Sequence, residues 1–364
     1  MHDEPASLTS LLQQRLHQGL AADGGWWPFD RFMAAALYEP GLGYYSRDSR
    51  MFGVMPESGS DFVTAPELSP LFGATLASAL AQALERTGTD ELWEFGAGSG
   101  ALAAQLLGAL GDRVRRYHIV DLSGALRARQ QARLAPWGER VEWLSALPTT
   151  MQGVVVGNEV LDAMPVKLLH FDGTQWFERG VGSDGHRFGW IDRPTELRPP
   201  GPQQAVPGTV TEVHLQAEAF VRTLAGTLTR GAIFLIDYGF PEAEYYLPQR
   251  HGGTLMCHRA HRADADPLAD VGDKDITAHV NFSGIALAGQ DAGLQVLGYT
   301  SQARFLLNAG LMDHLTTADL PTRSAAQKLV NEHEMGELFK VIAFVQGPWF
   351  DALGFAQGDR SHRL

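Results

Sequence analysis

Two hydrophobic periodicities alternate along this chain, and their order predicts its layout. Leu8, Leu11, Leu12 and Leu16 recur near helical spacing, as do Phe29, Phe32, Met33 and Leu37. Gly24-Gly25 separates the two runs and Pro40-Gly41 stops the second, so residues 1–60 read as a helical cap. Residues 68–86 predict a third helix, with Leu71, Leu76, Leu80 and Leu84 on one broad face. From Glu91 the texture changes to short apolar runs: Leu92–Phe95, Tyr117–Val120, Val141–Leu144, Gly153–Val156 and Ala232–Ile236. Such runs separated by helix-length segments predict a parallel sheet with helices on both faces. Two later runs, Leu294–Leu297 and Phe339–Val345, complete it.

Two stretches break this rhythm. Residues 166–215 alternate in hairpin style around Asp172-Gly173, and a Pro/Gly-rich surface loop is expected at 194–208. Residues 302–336 look helical and separate the last two strands. Both read as insertions into one domain covering 61–364. Composition agrees: of 364 residues, 45% are apolar and 20% charged, which excludes a disordered chain, a coiled coil and a fibre. No stretch approaches the roughly 18 unbroken apolar residues of a membrane helix. Met1-His2-Asp3-Glu4 lacks the marks of a secretory or transit segment, so a cytoplasmic protein is expected. A net charge of −13 disfavours nucleic acid and anionic lipid as partners. Cys257 is the single cysteine, and the nearest approach to a ligand cluster, His258, His261 and Asp264, lacks metal-site spacing; no metal is expected.

The clearest chemical signal is Glu94-Phe95-Gly96-Ala97-Gly98-Ser99-Gly100, which follows a strand and precedes the helical run Ala101–Leu110. Glycines permit a tight turn whose backbone N–H groups and helix amino end face a ligand. Asp121 ends the next strand, placed to accept hydrogen bonds from both hydroxyls of an adenosine ribose. Gly96, Gly98 and Ala101 with Asp121 equally satisfy a dinucleotide fingerprint, so a nicotinamide-dependent oxidoreductase stays open at this point.

Glu94-x-Gly-x-Gly-x-Gly resembles the first motif of class I S-adenosylmethionine (SAM)-dependent methyltransferases. Further segments in order resemble the MidA-like family, which includes the mitochondrial complex I assembly methyltransferase and its bacterial relatives. They are Phe32-Met33, Ala36-Leu37-Tyr38, Gly43-Tyr44-Tyr45, Asp61 to Glu67, Gly157 to Val166, Ile236-Asp237-Tyr238-Gly239, Gly253 to His258, Asp275 to Phe282 and Met335 to Val341. One departure is Arg259-Ala260, where the family pattern leads one to expect an aromatic residue. The resemblance implies a Rossmann-like α/β fold with a mostly parallel seven-stranded sheet, its last strand antiparallel, bound SAM, and methylation of an arginine on a protein partner. It implies that Glu94, Gly96, Ala97, Gly98, Gly100 and Asp121 hold SAM, with Asn158 near its methionine end and Thr64 or Pro66 lining the pocket. A non-catalytic SAM-binding assembly factor is the remaining alternative.

Methylating a guanidinium, which is protonated at neutral pH, calls for carboxylates to orient it and take a proton. Glu159 and Asp162, three apart after the fourth strand, share one face of a helical turn and are the leading candidates. Asp237 ends the fifth strand, where it could contact substrate or cap the following turn, and His279, before a helix, is a natural proton acceptor. Thr64 and Glu67 around Pro66 also have the spacing of a capping box.

Overall fold

The computed structural model describes residues 7–47, 64–121, 124–201, 205–259 and 262–364. Seven strands form the main path of the central sheet: β1 (Glu91–Phe95), β2 (Arg116–Val120), β3 (Val141–Leu144), β4 (Met151–Asn158), β5 (Leu228–Phe240), β6 (Gln295–Ser301) and β7 (Phe339–Gln346); an eighth, the two-residue strand Val280–Asn281 that the sequence did not predict, pairs parallel with the end of β5. Their spatial order is β6-β7-β5-β4-β1-β2-β3. The five central and right-hand strands pair in parallel, and β7 runs antiparallel to both β5 and β6. Val154, Val155 and Val156 of β4 and Ala232 to Ile236 of β5 are buried, as befits strands covered on both faces. β5 is far longer than its apolar run, because polar Arg230 and Asp237 are held by pairing to β4 and β7 rather than by their own hydrophobicity, with Thr229 bulged between the Leu228 and Arg230 pairs.

Helices cover the sheet in two layers. On one face lie α3 (Pro70–Thr87) and α4 (Ala101–Leu110), sharing a core with Phe305, Leu306, Leu311, Ala326 and Leu329 from the helical insertion. On the other lie α6 (Leu215–Thr227) and α7 (Phe282–Asp291), packed on Trp93, Val155 and Ile233. α5 (Gly124–Leu134) follows β2. The insertion before β7 forms α8 (Gln302–Asn308), α9 (Leu311–Thr317) and α10 (Leu320–Val330), as its periodicity predicts.

The front segment differs from a purely helical cap. Between α1 (Leu8–Ala22) and α2 (Phe29–Tyr38), Trp26–Pro28 is a strand, paired antiparallel with Gly180–Gly182. It thereby joins a five-stranded sheet built from residues 166–213, whose hairpin character was expected. Leu12, Leu16, Phe32 and Met33 share a core with Val166, Leu168, Val181 and Ile276. A three-stranded sheet of Met256–Arg259, Arg262–Asp264 and Asp275–Thr277 completes this second layer, which faces the carboxyl edge of the central sheet. Asp61 to Val63, Ala260 and His261 lie outside the described residues. No helix among the described residues is long and apolar enough to cross a membrane.

Candidate functional site

Strand order reverses between β1 and β4, and at their carboxyl ends lies a cavity of about 1010 Å³. This is where open α/β sheets bind ligands. The first wall is the glycine loop. Gly96, Gly98 and Gly100 adopt φ of 64°, 52° and 80°, a region hostile to side chains, and a Cβ on Gly96 would lie 3.1 Å from Val160. Gly96, Ala97, Gly98 and Ser99 face the cavity, while Gly100 turns the chain into α4 from behind. Asp121 also faces the cavity and is fixed by Gln130 of α5. The buried Gln130 amide donates to Asp121 at 2.8 Å and to the Gly98 carbonyl at 2.9 Å, and accepts from Trp143 Nε1 at 3.0 Å. Gln130 belongs to no motif; its nine-residue distance from Asp121 gave no signal.

Glu94 lies elsewhere than expected. It is buried behind the loop, accepting a hydrogen bond from the Tyr117 hydroxyl at 2.8 Å, and is not among the lining residues. Burial pushes its carboxyl up to about 8, so it supports the loop as a largely protonated group at neutral pH. Thr64 and Pro66 do line the cavity, but the capping box does not form. Thr64 makes no side-chain cap bond, and Glu67 instead binds the Ser99 hydroxyl and, at 2.9 Å, Arg133. The single turn Ala65–Leu68 therefore braces the glycine loop from outside.

The second wall follows β4. Asn158, Glu159 and Asp162 all face the cavity. Glu159 adopts φ 54°, uncommon for a residue with a side chain and typical of functional sites under local strain. Its N–H donates to the Ile236 carbonyl at 2.9 Å, and its carboxylate accepts from Asn158 Nδ2 at 3.0 Å and from the Ala65 N–H. Burial first, then the charge of Asp162, pushes the half-buried Glu159 carboxyl up to about 8. Asp162 is itself buried and pushed up to about 6, with the Tyr238 hydroxyl 2.5 Å from Oδ2 drawing it back. Its Oδ1 has no well-formed hydrogen bond, only the nearby N–H groups of Asp162 and Ala163.

Asp237 departs from the expectation that it contacts substrate. It lies completely buried beneath the turn, accepting the N–H groups of Leu161 at 2.9 Å and Asp162 at 3.2 Å, and does not line the cavity. It holds the turn on which Glu159 and Asp162 sit. His279 does line the cavity, stacked 5.3 Å from Phe240 and edge-on to Tyr238 at 5.0 Å. Burial, then the charge of Arg250, lowers it to about 4, so the ring is neutral near pH 7 with its buried Nδ1 unpartnered.

Several lining residues belong to segments that carry the family resemblance but had no individual role assigned: Tyr38 and Tyr45 from the front segment, Tyr238 from β5, and Asp275. They are distant in sequence, and spacing alone does not bring them together. A buried network stands behind them, in which Glu212 accepts the N–H groups of Thr254 and Leu255 at 2.8 and 3.0 Å and the Tyr245 hydroxyl at 2.8 Å. Thr254 in turn accepts the His279 N–H at 3.0 Å.

The two walls make different offers. The loop presents backbone and a ribose-suited carboxylate, which fits an adenosyl group; a buried Asn158 Oδ1 without a partner, further along the cavity, suits an ammonium donor. Beyond it lie carboxylates with raised proton affinity.

Comparison with known proteins bears on both halves. A family model described as "Putative S-adenosyl-L-methionine-dependent methyltransferase" matches residues 75–300. The mitochondrial protein arginine methyltransferase NDUFAF7 of Danio rerio is 28% identical over 367 residues, covering 86% of this chain and 82% of that protein. Its Caenorhabditis elegans homologue is 25% identical, covering 78% and 73%. A COG1565 superfamily structure from Burkholderia thailandensis, bound to S-adenosyl-homocysteine, is 52% identical, covers 99% of both chains and superposes with a TM-score of 0.94.

Proposed function

Given that the chain belongs to the S-adenosyl-L-methionine-dependent methyltransferase family, we propose that it methylates an arginine side chain of a protein partner. Membership removes the nicotinamide oxidoreductase that the glycine loop alone left open. SAM is the cofactor, and in this reading Gly96, Ala97, Gly98 and Asp121 hold its adenosyl portion while Asn158 meets its methionine end. Glu94, Gly100 and Gln130 shape that surface without lining it.

The observation that carries the arginine reading is the pair Glu159 and Asp162, two desolvated carboxylates on one turn facing the cavity. A guanidinium offers only donors in a planar fork, the complement of such a pair. The distant curated relatives bearing the name protein arginine methyltransferase point the same way.

When bound, SAM supplies the methyl electrophile, its sulfur keeping the electron pair as the new nitrogen–carbon bond forms. The chain's own work is alignment and proton handling. Glu159 is largely protonated at neutral pH without a cation beside it; a guanidinium at the turn lowers its proton affinity and converts it to a carboxylate. That carboxylate orients the nitrogen and takes the proton released as the methylated group forms. Asp162, held by Tyr238, grips the same cation beside it. Neutral His279 adds an acceptor but no charge.

The test is incubation with labelled SAM and cell lysate, followed by mapping of the labelled peptide. Label on an arginine nitrogen, lost with Glu159→Gln while S-adenosyl-homocysteine still raises the Tm, is the expected outcome. Label on another residue type overturns the arginine assignment.

A further inference from the structure

The acceptor half of the cavity has a third carboxylate, and it comes from a different part of the chain. Asp275 opens the strand Asp275–Thr277, is 3% exposed, and lines the cavity. Its cross-strand neighbour is His258, also a lining residue. The Tyr45 hydroxyl, arriving from the front segment, donates to Asp275 Oδ1 at 2.8 Å. Tyr45 stacks on Tyr38 at 5.6 Å, and Tyr38 donates to the Ala163 carbonyl at 2.9 Å, on the turn that bears Asp162. The Asp275 segment and the β4 turn are also joined directly, by the Ala278 N–H on the Asp162 carbonyl at 2.9 Å. Asp275 and the β4 turn are thus parts of one rigid frame.

The electrostatics of that frame call for a cation. The charges of both Asp162 and Asp275 bear on Glu159. The described lining residues include Asp121, Glu159, Asp162 and Asp275, but no lysine or arginine. Carboxylates crowded in a desolvated space repel one another; protonation relieves this in the unliganded chain, and a positive group that enters takes the place of the proton. The stacked faces of Tyr38 and Tyr45 add an aromatic surface suited to a planar or alkylated cation.

We infer that Asp275 is an acceptor-contacting carboxylate, meeting the substrate's cationic group together with Glu159 and Asp162, and that Tyr45 is its positioning residue. This rests on the methyltransferase reading with a cationic acceptor; it does not require that the acceptor be arginine. Tyr45 makes the front segment part of the acceptor site rather than only a cover.

The test compares wild type, Asp275→Asn and Tyr45→Phe with the acceptor peptide identified from lysate, or with an arginine- or lysine-bearing peptide where lysate identifies none. Asp275→Asn loses a charge-assisted contact, so KM for the peptide rises about 10- to 100-fold. Tyr45→Phe raises it about 3- to 10-fold by loosening Asp275. For both, the dissociation constant for S-adenosyl-homocysteine, measured by calorimetry, stays within about twofold, which a merely structural role would not produce. Should Asp275→Asn fail to fold, Tyr45→Phe decides alone. Peptide KM unchanged in the variants, or cofactor affinity falling in step with it, overturns the inference. Methylation of a lysine or amine that Asp275→Asn weakens keeps this inference and sinks the arginine assignment. Arginine methylation indifferent to Asp275 does the reverse. Wild type transferring no methyl to any cationic peptide sinks both.

Discussion

The two ends of the cavity are built by opposite strategies. The cofactor end comes largely from one contiguous stretch, residues 95–102, and presents mainly backbone, with Asp121 and its Gln130 anchor alongside. The acceptor end is gathered from four distant places: the front segment, the turn after β4, the end of β5, and the residues from Asp275 to His279. It presents titratable side chains whose proton affinities burial has displaced. Holding a ligand shared by many enzymes needs a local shape, whereas choosing and deprotonating an acceptor needs charges brought together by the whole fold.

Substitutions should therefore split cleanly between the ends. The largest effect is expected from Glu159→Gln: kcat falls by about 100- to 10,000-fold, the range for a lost general base, with S-adenosyl-homocysteine affinity within about twofold. Equal losses of both in stopped assays and calorimetry would merge the two ends. Gln130→Ala should do the converse. Removing the buried amide frees Asp121 and the Gly98 carbonyl, so the dissociation constant for S-adenosyl-homocysteine rises about 10-fold while kcat at saturating cofactor changes little.

A pH experiment sharpens the acceptor half. In the native chain Glu159 keeps its proton to about pH 8, whereas the unfolded chain releases it near the ordinary value of 4.5. The native state binds the extra proton across that window, so this contribution to stability is full below pH 4.5 and is lost as pH rises through 8. Relative to Glu159→Gln, wild type should lose Tm between about pH 5 and pH 8 and level off above. A difference that is flat with pH would mean that Glu159 is ionised throughout. The smallest effect is Thr64→Ala. With no cap bond to lose, it should change stability by less than about 0.5 kcal/mol, against about 1 kcal/mol for a true N-cap, as read by urea denaturation.

The same contrast explains what could be read from residues alone. The strands of the central sheet were legible because buried parallel strands are continuous apolar runs, and the glycine loop because positive φ restricts the residue type. Glu159, Asp162 and His279 were reachable through position at the sheet's carboxyl edge and through family resemblance. Asp237 was misplaced by the same argument: it sits at that edge, but its side chain turns down onto the Leu161 and Asp162 N–H groups. Glu94 likewise points behind its loop to Tyr117. Tyr45 and Asp275 stood in resembling segments without a role, and Gln130 stood in none, because the proximity that gives each its place is tertiary. The strand Trp26–Pro28 was missed because its partner lies about 150 residues away and three residues have no period to detect.

The claim on which the rest depends is that an acidic pocket beside the cofactor receives a cationic side chain. A crystal structure with S-adenosyl-homocysteine and the labelled peptide tests it most directly. The account predicts the peptide's charged group between Glu159, Asp162 and Asp275, its nitrogen directed at the cofactor sulfur. An uncharged or anionic group there, or a peptide bound with that pocket empty, would contradict it.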